Sequence, residues 1–332
     1  MTASERIGKL IRGKEIDRLP VMEWAPWWHL TVARWISEGL PRENAGYVEL
    51  QDYFGLDKCI QTYFPVRTAM TPAAVPHGTG IMKSREDYER IKPTMFPDVT
   101  KIVSKEHFDW LEKTRQKGDY VHFCTVEGFF WYPRELFGIE EHLYSFYDND
   151  ELLHEMCEDY VSWLKKLFEF IGNSFRFDFM TFAEDMSYNK GPMISKDMFD
   201  TFLAPYYREI IPVIKRCDIP VIIDSDGDIT EAVDWYASVD ADGMLPLERQ
   251  AGVDVSLYIE KQPQMTFLGH FDKMCMKFGE EAMRREFERI LPSCIKGKVI
   301  IGVDHQTPPD VSLENYKVYV RLLKEYANKV VK

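Results

Sequence analysis

From about residue 120 onward, short runs of β-branched and aromatic residues alternate with longer segments whose apolar positions recur at three- and four-residue spacing. The short runs predict strands and the longer segments amphipathic helices. Strands are expected at 120–125, 178–183, 221–225, 243–247, 265–269 and 298–303, with helices at 151–171, 196–216, 280–290 and 312–326. The first third is less regular and predicts strands at 19–23 and 59–64, helices at 30–37 and 43–54, and a long loop at 71–79 that includes His77. Eight strands alternating with helices, and no Pro-, Gly- or Ser-rich linker, predict one α/β domain over residues 1–332: a single (β/α)₈ TIM barrel with an N-terminal extension.

Composition narrows the function classes. Lys and Arg total 41 against 54 Asp and Glu, a net charge of −13, so a nucleic acid or an anionic membrane surface is repelled overall. No run approaches the roughly 20 apolar residues of a membrane span. The six cysteines are scattered without CxxC or CxC spacing, which indicates neither a disulfide framework nor a thiolate zinc knuckle and places the chain in a reducing cytoplasm.

Barrel enzymes carry their reactive residues where strands end. Here those positions are Glu23, Glu127, Glu184 with Asp185, Asp224 with Asp226, Glu248, His270, and Asp304 with His305. So many carboxylates in one mouth cannot all stay ionised without protons, cations or a metal. Asp185 and Asp228 read rather as helix caps; Asp226, Glu248 and His305, each ending a strand in one half of the barrel, read as functional. Aromatic residues follow two of the strands, Trp24, Trp27 and Trp28 after the first and Trp131 after the strand at 120–125. They predict a wall for a flat apolar ligand, or a covered subunit surface.

These strand ends resemble those of the uroporphyrinogen decarboxylase superfamily, which includes corrinoid-dependent methyltransferases. The resemblance rests on Gly302 to Asn315 (GVDHQTPPDVSLEN), Phe267 to Lys273 (FLGHFDK), the Asp224 to Gly227 turn (DSDG), and the helix-opening Gly191 to Ser195 with Phe202 to Pro205. The decarboxylases hold a tetrapyrrole through an Arg-Gln-Ala-Gly-Arg motif after the first strand, where this chain reads MEWAPWW from Met22 to Trp28. An acidic and aromatic segment repels a polycarboxylate, so the resemblance does not imply uroporphyrinogen as substrate.

The methyltransferase branch binds zinc through a His-x-Cys-Gly turn and a distant Cys. The matching positions here are Asp224, Asp226 and His305, with Glu248 as a further ligand, an oxygen-rich set suited to polarising a substrate oxygen rather than a thiol. What the resemblance then implies is the demethylating branch, a methyltransferase (O-demethylase component) that removes the methyl group of an aryl methyl ether and passes it to a corrinoid (cobalamin) on a separate corrinoid protein. Asp226, His305, Glu184 and His270 are the expected catalytic residues, and Glu23, Trp24, Trp27, Trp28, Glu127 and Trp131 the expected substrate contacts. Zinc near Asp226 and His305 and a homodimer are further expectations. The alternative is a decarboxylase of another organic acid with Asp226 or His305 as proton donor, for which Arg134 and Arg249 are the cations placed to anchor a carboxylate.

Overall fold

The structure, a computed structural model, describes residues 1–74, 78–116 and 120–331; His77 of the expected loop lies outside the described residues. Nine strands occur in chain order: β1 (Lys58–Tyr63), β2 (Tyr120–Glu127), β3 (Phe179–Ala183), β4 (Ser187–Tyr188), β5 (Gly191–Pro192), β6 (Val221–Asp224), β7 (Gly243–Leu245), β8 (Thr266–Phe271) and β9 (Lys298–Val303). Seven form one parallel sheet in the order β1-β2-β3-β6-β7-β8-β9, and β4 and β5 make a small antiparallel hairpin after β3. Every residue of β8 and all but the first of β2 and β9 are buried, as continuous apolar strands require when covered on both faces.

The helices cover the outer face. Asp150–Ser174, between β2 and β3, buries Leu153, Met156, Tyr160, Leu164, Leu167 and Ile171, a stripe at three- and four-residue spacing. The helix expected at 196–216 is broken. Pro205 has no N–H and its ring clashes with the preceding turn, so the chain widens into a π turn at Phe199–Leu203 before the regular helix Ala204–Arg216. Likewise the helix expected at 43–54 divides into a short turn at Arg42–Asn44 and a helix at Tyr47–Phe54.

The sheet has seven strands where eight are expected, and the missing one is 19–23. Pro20 cannot donate to a ladder. The segment still occupies the place between the edge strands: Asp57 N, just before β1, donates to Val21 O at 2.7 Å. On the other side, Val303 N at the end of β9 donates to Glu23 Oε2 at 3.2 Å. Among the described residues no helix is long and apolar enough to cross a membrane.

Candidate functional site

The parallel register sets Ala183 of β3 against Asp224 of β6, so the residues that follow both strands emerge at one level. There Trp24, Trp131, Glu184, Asp185, Asp224, Asp226 and His305 line a cavity of about 190 Å³. Cavities of roughly 150 Å³ hold one benzene ring, so this space takes a single substituted ring and not a macrocycle. Asp226 Oδ2 lies 3.6 Å from His305 Nε2. Trp24 meets His305 edge-on, with ring centroids 6.4 Å apart. The turn that carries Asp226 depends on Gly227, whose φ is +77° and where a Cβ would lie 2.6 Å from the Tyr188 backbone.

Two cations border the acids. Arg134 Nη1 pairs with Asp185 Oδ2 at 3.1 Å, and its guanidinium lies 4.6 Å over the Trp131 ring, which fixes that wall. Lys273 Nζ lies 3.4 Å from Glu248 Oε1 and 3.2 Å from the buried Asp304 Oδ1. Burial, then the charges of Asp226 and Asp185, push the Asp224 carboxyl well above its ordinary range. Burial, with the charges of Glu248 and Asp185, raises Asp226 to about 7 against the opposing effect of Lys273. Burial lowers the pKa of His305. Near neutral pH the site therefore presents a carboxylic acid beside a neutral imidazole.

Glu184 has a different part. Its Oε1 accepts from Tyr207 Oη at 2.6 Å and Tyr236 Oη at 3.2 Å, and its Oε2 from Phe130 N at 2.9 Å and Trp131 N at 3.3 Å. Burial raises its pKa to about 7, and the four donors offset part of that rise. Gly128 makes room for it, since a Cβ there would lie 1.7 Å from Glu184 Oε2. Glu184 thus anchors the loop that presents Trp131, and its lone pairs are taken.

Other expected site residues lie elsewhere. His270 is buried outside the cavity: its Nδ1 bonds Leu247 O at 3.3 Å, its Nε2 faces Val255 N and Arg289 Nη1, and burial lowers its pKa to about 3. Glu127 accepts from Val66 N at 3.1 Å and lies 3.9 Å from Arg67, holding the chain after β1. Trp27 is core, packed on Tyr47, Phe54 and Tyr316, because its segment turns outward toward the helices. Trp28 is 42% exposed and begins the helix His29–Ser37. Glu23 is buried behind the cavity wall, and Arg249 turns away to donate to Val253 O. Glu248 is not among the lining residues and accepts from Gly227 N at Oε2, 3.2 Å away.

Of the residues expected to hold a metal, Asp224, Asp226 and His305 line the cavity; among the described residues no three His, Cys, Asp or Glu side chains group closely enough to hold an ion. Asp185, Lys273 and Asp304 gain importance. Asp185 reads as a cap in the sequence, yet its φ of +43° turns it to Arg134. Lys273 ends the FLGHFDK segment and is detectable only by following that strand end three residues further.

Comparison with known families matches residues 178–326 to uroporphyrinogen decarboxylase (URO-D). Comparison with curated proteins gives no match. Among solved structures, a methyltransferase from Methanosarcina mazei shares 13% identity over 98% of this chain and 99% of its own, with a TM-score of 0.65. A B12-independent methionine synthase from Shewanella sp. W3-18-1, in complex with selenomethionine, shares 11% identity over 67% of this chain and 65% of its own. Its TM-score of 0.43 carries no argument. The stretch similar to uroporphyrinogen decarboxylase (URO-D) contains Glu184, Asp224, Asp226 and His305.

Proposed function

We propose that this chain is a methyltransferase that demethylates an aryl methyl ether. The observation that carries the reading is Asp226, its pKa raised to about 7 so that roughly half of it is protonated at pH 7, and 3.6 Å from a neutral His305 in a one-ring cavity lined by Trp24 and Trp131. An aryl methyl ether is a poor methyl donor until its leaving oxygen is protonated or otherwise stabilised. In this reading the ring lies between the two indoles, with its ether oxygen at Asp226. The methyl carbon–oxygen bond breaks, its electron pair goes to oxygen, and that oxygen takes the Asp226 proton to leave as the phenol. His305 orients the carboxyl and returns its proton. The methyl group needs an acceptor that brings an electron pair, which a reduced corrinoid on a partner protein would supply at the cavity mouth. The fold likeness to a methyltransferase supports this class.

The decarboxylase alternative needs a cation free to anchor an acid. Arg134 and Lys273, the cations at the mouth, are each paired with carboxylates of the chain itself, and this favours the neutral ether.

The test is incubation of the purified protein with a methoxyphenol and chemically reduced cob(I)alamin. Formation of methylcobalamin and the demethylated phenol in equal amounts is expected. Transfer only from methylamines or methyl thiols, or release of carbon dioxide from an aromatic acid without methyl transfer, contradicts the reading.

A further inference from the structure

The segment in the place of the eighth strand is held at both edges by carboxylates. Toward β1, Val21 N donates to Asp57 Oδ2 at 2.8 Å, and Asp57 is braced by Arg18 at 2.7 Å. Toward β9, Val303 N donates to Glu23 Oε2 at 3.2 Å. These side-chain bonds stand in for the ladder that Pro20 prevents. The β9 tie is close: a Cβ on Gly302 would lie 3.3 Å from Glu23 Oε2 and 3.4 Å from Met22 O.

The two ties differ in what lies next to them. Asp57 is remote from the cavity. Glu23 immediately precedes Trp24, and Val303 stands two residues before His305; the rings of Trp24 and His305 meet edge-on at 6.4 Å across the cavity rim. The Glu23 carboxyl is fully buried and faces the Tyr319 hydroxyl, with the buried Tyr47 and Tyr316 nearby. Burying a carboxyl is costly unless it is hydrogen-bonded, so Glu23 is held to the bond it makes with Val303 N.

We propose that Glu23 is a positioning residue: by clamping the end of β9 to the 22–24 segment it sets the spacing between Trp24 and His305 and so the width of the cavity. The spacing stands on geometry alone; its consequence for turnover rests on the proposed methyl transfer. Losing the clamp lets the two rim segments part. The Trp24 wall is then misplaced while Asp226 keeps its own turn.

The test uses ¹⁹F NMR of the full chain labelled with 5-fluorotryptophan, the Trp24 signal being assigned by Trp24→Phe. Glu23→Asp, one methylene too short to reach Val303 N, and Glu23→Leu are expected to move the Trp24 signal by more than its linewidth, and Glu23→Gln, which keeps an acceptor oxygen, to leave it in place. Asp57→Asn lowers the melting temperature but leaves the Trp24 signal unmoved, which separates positioning from general destabilisation. With a methoxyphenol, Glu23→Asp is expected to raise KM roughly tenfold with a smaller change in kcat. A Trp24 signal unmoved in Glu23→Asp, or moved equally by Asp57→Asn, overturns the proposal, and the NMR result decides it even if no methyl donor is ever turned over.

Discussion

At the ends of β6 and β9, Asp226 and His305 turn their polar atoms to a shared cavity, whereas at the ends of β2 and β8 Glu127 and His270 commit theirs to the backbone of neighbouring loops. All four are polar residues that follow apolar runs, and the parallel sheet brings all four to the same end. What separates them is hydrogen-bond accounting. Among the described residues Asp226 accepts no backbone N–H, and its Oδ2 lies 3.6 Å from the His305 imidazole. Glu127 holds Val66 N, and His270 bridges Leu247 and Val255. A strand-end polar group already satisfied by the frame builds the frame; one left toward a cavity is available for chemistry.

Substitutions on the two arcs should therefore diverge. Asp226→Asn removes the proton donor while keeping the volume, and is expected to lower turnover by about 10² to 10⁴, with melting temperature little changed. Glu127→Gln is expected to do the reverse, destabilising the chain while turnover of the folded fraction persists. Steady-state rates and thermal melts on the two variants check this together, and equal losses of rate would erase the distinction between the arcs.

Glu184 lies on the cavity yet belongs with the frame, so it sharpens the comparison. Glu184→Leu leaves two backbone N–H groups and two tyrosine hydroxyls without their acceptor, and a stability loss of at least about 3 kcal/mol is expected in urea denaturation. A loss under about 0.5 kcal/mol would show that those donors find other partners.

The pH dependence has a definite sign. Asp226 is raised from 3.8 to about 7, so the folded chain favours its protonated form. Its contribution to stability is full below pH 4 and is lost as pH rises through about 7. Turnover should fall along the same limb, about tenfold per pH unit above 7, because only the protonated form donates. A rate that rises through this range would assign Asp226 the role of a base.

The smallest difference is expected between two neighbouring tryptophans. Trp24→Ala removes a cavity wall and should raise KM three- to tenfold, in keeping with about 0.5–1.5 kcal/mol for an aromatic contact. The exposed Trp28→Ala should change stability by less than about 0.5 kcal/mol and leave KM unaltered. Equal effects on KM would place Trp28 on the substrate path.

The parallel strands and most helices were legible because their apolar spacing is local information; β2, β3, β6 and β9 lie within two residues of their expected ends. The eighth strand failed on one residue, Pro20, whose missing donor outweighs an otherwise strand-like run. Asp226 and His305 were legible as strand ends. Their separation from His270 and Glu127 was not, because it depends on partners far along the chain: Arg289 and Leu247 for one ring, Val66 for the other carboxylate. Glu184 was legible as a strand end at the cavity, but its donors were not, the two tyrosines lying 23 and 52 residues away. The sequence left open whether protons, cations or a metal balance the mouth; in the structure Arg134 and Lys273 pair with its carboxylates, and burial raises the pKa of Asp226. Removal of metal by dialysis against a chelator should accordingly leave turnover unchanged.

The central claim is that Asp226 protonates the leaving oxygen, and it is tested most directly by varying that oxygen. Methyl transfer from a series of methoxyarenes whose phenols span a range of acidity should be measured in the wild-type chain and in Asp226→Asn at pH 6.5. The account predicts a weak dependence on phenol acidity in the wild type, and a steep one in the variant, with near-normal rates recovered only for the most acidic phenols. Parallel dependences in the two proteins would contradict it.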